Sequence, residues 1–280
     1  MSRARDCWPP ESRVVHAISG TLALAGALLE TLSIAGNRAY PTLVLLHEGL
    51  GCVALWRDFP LTLAARTGCP VFAWSRAGYG QSSPRPAPWP LDYMQAEGLA
   101  LPTLLTEAGI GDCVLVGHSD GASIALVAAG ATRDSRIRGV VLMAPHVFTE
   151  DEGLASIEAA QRAYREGELR RRLARYHGEN VDCAFEGWSG AWLDSAFKRW
   201  NLEAYLSGIR VPVLQIQGKE DQYGTALQLD AIARQVSGPV DTHLLADCKH
   251  APAQEQPSLT LSLIADFLVR RVLPVNPAGH

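Results

Sequence analysis

The sequence predicts an α/β fold: a mostly parallel central sheet with helices on both faces, plus a helical lid inserted late in the chain. Three observations predict it. From about residue 40 onward, short apolar runs alternate with helix-length segments, which is the rhythm of the strand–helix–strand units that build parallel sheets. The rhythm stops from 149 to 207, where no strand-like run occurs. The stretch V-L-V-G-H-S-D-G-A-S at 114–123 follows a buried-looking strand with glycines two residues before and two after a single serine.

Taken in order, residues 14–19 and 27–34 read as an opening pair of strands. The stretch T-L-A-L-A-G-A-L-L at 21–29 follows Arg3, Arg5 and Arg13 and resembles the apolar core of a secretory leader. Asp6, Glu11 and His16 interrupt the basic region, however, and no small-x-small cleavage site follows Leu29. Strand is therefore the preferred reading and the cytoplasm the expected compartment. The stretch is also too short to span a bilayer, so no membrane partner is expected. Runs at 42–46, 71–74, 113–116, 140–144, 213–217 and 242–245 suit strands buried on both faces. Segments 54–67, 91–108, 119–131, 226–235 and 257–273 have the length of the covering helices.

The interval 149–207 carries Q-R-A-Y-R-E-G-E-L-R-R-R-L-A-R-Y and then Phe185, Trp188, Trp192, Phe197 and Trp200. It is expected to lie over the strand ends as a lid, dividing a core of 14–148 and 208–273. Its arginines (Arg162, Arg165, Arg170, Arg171, Arg172 and Arg175) are most simply a solvated helix face rather than an anion site. Trp188 and Trp192 are candidates for a substrate-binding wall, against the plainer role of packing.

A chain of 280 residues, 48% hydrophobic and 19% charged, holds one large core and an insertion. The net charge of −4 argues against a nucleic-acid partner, which would call for a basic face. Six cysteines are scattered with no C-x-x-C pair or metal-ligand spacing, which fits a reducing compartment, no metal and no cofactor. A homodimer is left open.

The glycine–serine–glycine spacing has a mechanical meaning. A serine at the tip of a very tight strand-to-helix turn leaves no room for side chains at the flanking positions. A serine hydroxyl also needs a base, and the base an orienting acid. The run V-P-V-L-Q-I-Q-G-K-E-D ends a strand and places Asp221 in the next turn. The run T-H-L-L-A-D-C-K-H ends another and places His250 before the last helix. Ser119, Asp221 and His250 thus each follow a strand, in the order nucleophile, acid, base. The turn H-E-G-L-G at 47–51 offers backbone donors for an oxyanion: Gly49 or its neighbour Leu50, with the amide of Asp120 as the second. His47 reads as a structural hydrogen-bonder, His118 as facing sideways, and His146 as a pocket residue.

These motifs, with S-R-A-G-Y-G-Q-S at 75–82, G-K-E-D at 218–221 and H-A-P-A-Q-E-Q-P at 250–257, resemble the α/β-hydrolase superfamily over about residues 14–273. The similarity is to its lidded branch of bacterial esterases, carbon–carbon bond hydrolases of aromatic catabolism and cofactor-free oxygenases. It departs from many relatives at Glu48, where they have glycine, and at Ser75, where they have aspartate. The resemblance implies a serine hydrolase acting on a carboxylic ester or thioester, a small-molecule substrate. The alternatives are carbon–carbon hydrolysis of a keto acid whose carboxylate the lid arginines would hold, a cofactor-free oxygenase, and a small-molecule receptor on the same scaffold.

Overall fold

The computed structural model describes residues 16–273. Eight strands form one sheet: β1 (Ala17–Leu24), β2 (Ala27–Ile34), β3 (Thr42–Leu46), β4 (Val71–Trp74), β5 (Cys113–His118), β6 (Ile137–Met143), β7 (Val213–Gly218) and β8 (Val240–Leu245). Their spatial order is β1-β2-β4-β3-β5-β6-β7-β8. From β4 to β8 every neighbour is parallel, while β1 and β2 join antiparallel at one edge. Alternation along each central strand feeds two cores. Val44, Leu46 and Leu115 face one layer; Leu43, Leu45, Val114 and Val116 face the other. The first layer is closed by α2 (Tyr93–Glu107), α3 (Asp120–Ala131) and α8 (Ala226–Gln235), the second by α1 (Phe59–Thr67) and α10 (Pro257–Phe267).

The chain runs from β3 outward to β4 and then returns to build β5 on the other side of β3. That reversal opens a crevice beyond the carboxyl ends of β3 and β5, the place where such sheets bind ligands.

Two expectations are corrected. The first strand is Ala17–Leu24, not 14–19, and residues 14 and 15 lie outside the described region. The cause is the turn: Ala25 and Gly26 both adopt positive φ (48° and 83°), which makes a tight hairpin and pairs Leu24 with Ala27. The leader-like stretch 21–29 is therefore hairpin. The helix expected at 54–67 is broken, with a 3₁₀ turn at Val53–Trp56 and α1 starting only at Phe59. Arg57, at φ 52°, turns the chain between them, and Pro60 has no N–H to continue a helix from before.

Between β6 and β7 the chain is helical: α4 (Asp151–Arg165), α5 (Glu168–His177), α6 (Val181–Trp192) and α7 (Glu203–Leu206). Phe148 and Asn201 pair in an isolated antiparallel bridge that closes the neck of this excursion. Beyond the neck, α7 packs on α3 and α8. Arg162, Arg165, Arg170, Arg171, Arg172 and Arg175 in this segment are all exposed, and Arg170 forks onto the Asp182 carboxylate (2.8 and 2.6 Å). A last short helix, α9 (Pro252–Glu255), precedes α10. No described helix is long and apolar enough to cross a membrane.

Candidate active site

Ser119 stands between β5 and α3 at φ 53°, ψ −119°, a backbone strain of about 1–3 kcal/mol for a residue with a side chain. The two flanking glycines make that turn geometrically possible. A Cβ on Gly117 would lie 2.4 Å from the Gly121 carbonyl oxygen, and one on Gly121 would lie 2.0 Å from that of Leu46. Both obstacles are backbone and cannot rotate away.

The three loci picked from the sequence meet in space. Ser119 Oγ donates to His250 Nε2 at 2.9 Å, and His250 Nδ1 donates to Asp221 at 2.8 and 3.0 Å. The carboxylate therefore fixes the tautomer that leaves Nε2 free to accept a proton. Asp221 is almost fully buried and also accepts the Tyr223 amide at 2.9 Å. Burial pushes its carboxyl upward, but the hydrogen bond and charge of His250 outweigh that and hold it below the usual range.

A cavity of about 140 Å³ opens above Ser119. Its lining includes Gly49, Leu50, Ser119, Asp120, His146, Trp188, Trp192 and His250, so every sequence-predicted site residue except Asp221 borders it. Asp221 lies behind His250. Glu48, Gly153, Ile157 and Tyr223 complete the wall; Gly153 and Ile157 lie in a stretch with no motif and Tyr223 just past G-K-E-D, which is why the sequence did not mark them. The Trp188 indole lies directly over Gly49. His146 stacks edge-on against Trp192, with ring centres 5.4 Å apart. Burial, helped by the charge of His250, pushes His146 down to about 3, so it stays neutral. Trp200 is buried but does not border the cavity; it packs on Trp192 and Phe197.

The turn after β3 is held from several sides. His47 Nδ1 donates to the Glu48 carbonyl (2.8 Å), and its Nε2 accepts the Arg76 amide (3.1 Å). With both nitrogens occupied and its charged form suppressed by burial and by Arg76, His47 is a structural strut. The Arg76 guanidinium clamps the carbonyls of His47 and Glu48 at 2.7 and 3.2 Å. From α5, His177 Nε2 donates to the Leu50 carbonyl at 3.0 Å. Ser75, which stands where many relatives have aspartate, donates to Glu30 at 2.6 Å and accepts the Val53 amide at 2.9 Å. The carboxylate missing from position 75 thus arrives from β2.

Asp120 is buried beneath this site. Tyr93 on α2 donates a short hydrogen bond to its Oδ2, and Trp192 donates to the Tyr93 oxygen at 3.1 Å. Burial holds the Asp120 carboxyl above its usual range, against the pull of Arg76. Nothing in the local sequence marks Tyr93, whose partners lie 27 and 99 residues away.

Comparison with known proteins bears on the fold and the family. Human serine hydrolase BPHL is 26% identical over 187 residues, 64% of this chain and 62% of the human protein; the match thus spans less than two thirds of that relative. The crystal structure of the enol-lactonase from Burkholderia xenovorans LB400 superposes with a TM-score of 0.68 at 20% identity, covering 89% of this chain and 99% of that one. A serine hydrolase involved in carbazole degradation, the CarC enzyme, gives a TM-score of 0.72 at 16% identity, covering 91% and 100%. These two likenesses speak for the fold. The model of the alpha/beta hydrolase family matches residues 43–262, a span that carries the turn after β3, the strained serine, Asp221 and His250, and the chain belongs to that family.

Proposed function

We propose that this hydrolase cleaves a small, uncharged carboxylic ester or thioester through an acyl-enzyme. The observation that carries the proposal is the unbroken hydrogen-bond chain Ser119–His250–Asp221 at the floor of an aromatic-walled cavity. Ser119 Oγ attacks the carbonyl carbon while His250 Nε2 takes its proton, and Asp221 steadies the imidazolium that forms. The oxyanion is held by the amide of Asp120 and that of Gly49 or Leu50, all of which border the cavity. His250 then returns the proton to the departing alcohol or thiol, and water hydrolyses the acyl-enzyme by the same route. The helices of 149–207 act as the lid; Trp188 and Trp192, together with His146, form the wall that recognises the acyl or leaving group.

The walls favour an ester over a keto acid. Neither lysine nor arginine borders the cavity, and the arginines of 149–207 are exposed and lie outside its lining. A substrate carboxylate would meet no lysine or arginine in this lining. Among the described residues five thiols are free, at Cys52, Cys69, Cys113, Cys183 and Cys248, which supports a reducing, cytoplasmic setting.

The test is a panel of chromogenic acyl esters, acyl thioesters and ring-cleavage keto acids, run on wild type and Ser119→Ala together. Ester or thioester turnover with a pre-steady-state burst, abolished in the variant, is the expected result. Turnover confined to keto acids, or oxygen uptake without hydrolysis, would overturn the proposal.

A further inference from the structure

His118, the residue just before Ser119, is buried with both ring nitrogens facing acceptors. Its Nε2 lies 2.7 Å from the main-chain carbonyl oxygen of His250, and its Nδ1 lies 3.4 Å from the Glu48 carboxylate. A carbonyl and an ionised carboxylate can only accept, and an imidazole donates from both nitrogens only when protonated. We propose that His118 is an imidazolium paired with Glu48, and that this pair is a positioning element that fixes the base His250 and ties it to the oxyanion turn. The inference rests on the role given to His250 in the proposed function.

The neighbourhood shows what the pair adds. The loop carrying His250 is held by outer carboxylates: Glu220 accepts the Cys248 amide at 2.8 Å, and Glu255 accepts those of Lys249 and Ala251 at 2.6 and 3.1 Å. Among the described residues, His118 alone grips His250 through its own carbonyl, from the strand that leads to Ser119. Glu48 sits on the turn that supplies the oxyanion donors and borders the cavity. One ion pair therefore joins the carboxyl ends of β3 and β5 to the loop after β8. The titratable groups facing His118 are Glu48 after β3, Asp221 after β7, His146 after β6 and His250 after β8. Burial opposes the charge on His118, but the Glu48 hydrogen bond and charge lift its pKa above the ordinary value.

The test reads Ser119 directly, through its labelling by a small fluorophosphonate. In His118→Phe, which keeps the ring and removes both donors, the maximal labelling rate should fall about tenfold or more while half-saturation stays within about twofold. The acid limb of the labelling profile should move to higher pH, because the unpaired Glu48 carboxylate favours the charged form of a neighbouring imidazole. Glu48→Gln/His118→Phe, which removes that carboxylate, should return the limb toward wild type without restoring the rate. Nitrogen NMR of the wild-type protein should find both His118 nitrogens protonated near neutral pH, whatever the variants do. A neutral His118 there, or a folded His118→Phe with wild-type rate and profile, overturns the positioning role. Absence of labelling in wild type would instead count against the proposed function.

Discussion

Trp192 donates its indole N–H to the hydroxyl of Tyr93 at 3.1 Å. This bond joins a helix of the excursion between β6 and β7 to a helix of the core, and it continues to Asp120 beside Ser119. Tyr93→Phe leaves a buried donor and a buried carboxyl oxygen short of a partner. The expected loss is about 1–3 kcal/mol, read as a lower urea midpoint with an unchanged slope. A wild-type midpoint would mean that the contact contributes nothing.

Removing the hydroxyl of Ser119 should leave the fold intact and cut turnover by about four to six orders of magnitude. His250→Ala should match it, and Asp221→Asn should fall somewhat short of it, since the acid orients the base without taking its proton. Fluorophosphonate should label wild type and spare Ser119→Ala. Activity retained in His250→Ala but lost in His146→Ala would identify a different base.

Gly121→Ala places a methyl group 2.0 Å from the Leu46 carbonyl oxygen. The turn at Ser119 has to shift against β3, at a cost of about 1–3 kcal/mol or more. Thermal melting together with labelling of Ser119 should show both a lower midpoint and a slower reaction. Full labelling at an unchanged melting temperature would contradict the tight approach.

The tryptophans divide by position. Trp188 and Trp192 border the cavity and Trp200 does not. Alanine at either of the first two should change the ratio of rates among acyl chain lengths or aryl groups. Alanine at Trp200, which packs on Trp192 and Phe197, should lower all rates alike. Unchanged ratios in all three variants would reduce the tryptophans to packing.

Acid should weaken the fold partly through Glu48. Although burial pushes its carboxyl up, His118 pulls it down further, from 4.5 to about 2. A depressed folded-state value gives stability that is complete above the unfolded value and lost as pH falls through the folded one. Wild type should therefore lose an advantage over Glu48→Gln between pH 4.5 and about 2. Urea midpoints measured across that range decide it: a gap that stays constant, or widens toward acid, would contradict the shift.

The sheet could be read from the sequence because each central strand is buried on both faces and so appears as an uninterrupted apolar run, as at Val114 and Leu115. The second strand was legible at 27–34, but the first could not be placed correctly, since its register depends on Ala25 taking a positive φ that alanine does not advertise. Ser119, Asp221 and His250 were legible because each follows a strand, and strand ends converge in a parallel sheet. Tyr93, Arg76 and the Glu48–His118 contact were not. Their partners are set by tertiary packing across tens of residues, and no local spacing encodes that.

The bridge between Phe148 and Asn201 gives the insertion a closed neck, while β6 and β7 pair side by side as if nothing stood between them. Chain length added within such a neck raises the entropy of closure only logarithmically, by about 0.6 kcal/mol per doubling. On the proposed function, in which this excursion meets the substrate, evolution can thus lengthen, shorten or exchange it as a cassette. The strand register that aligns serine, acid and base is not renegotiated each time. Substrate range and reaction chemistry become separately heritable traits of one chain.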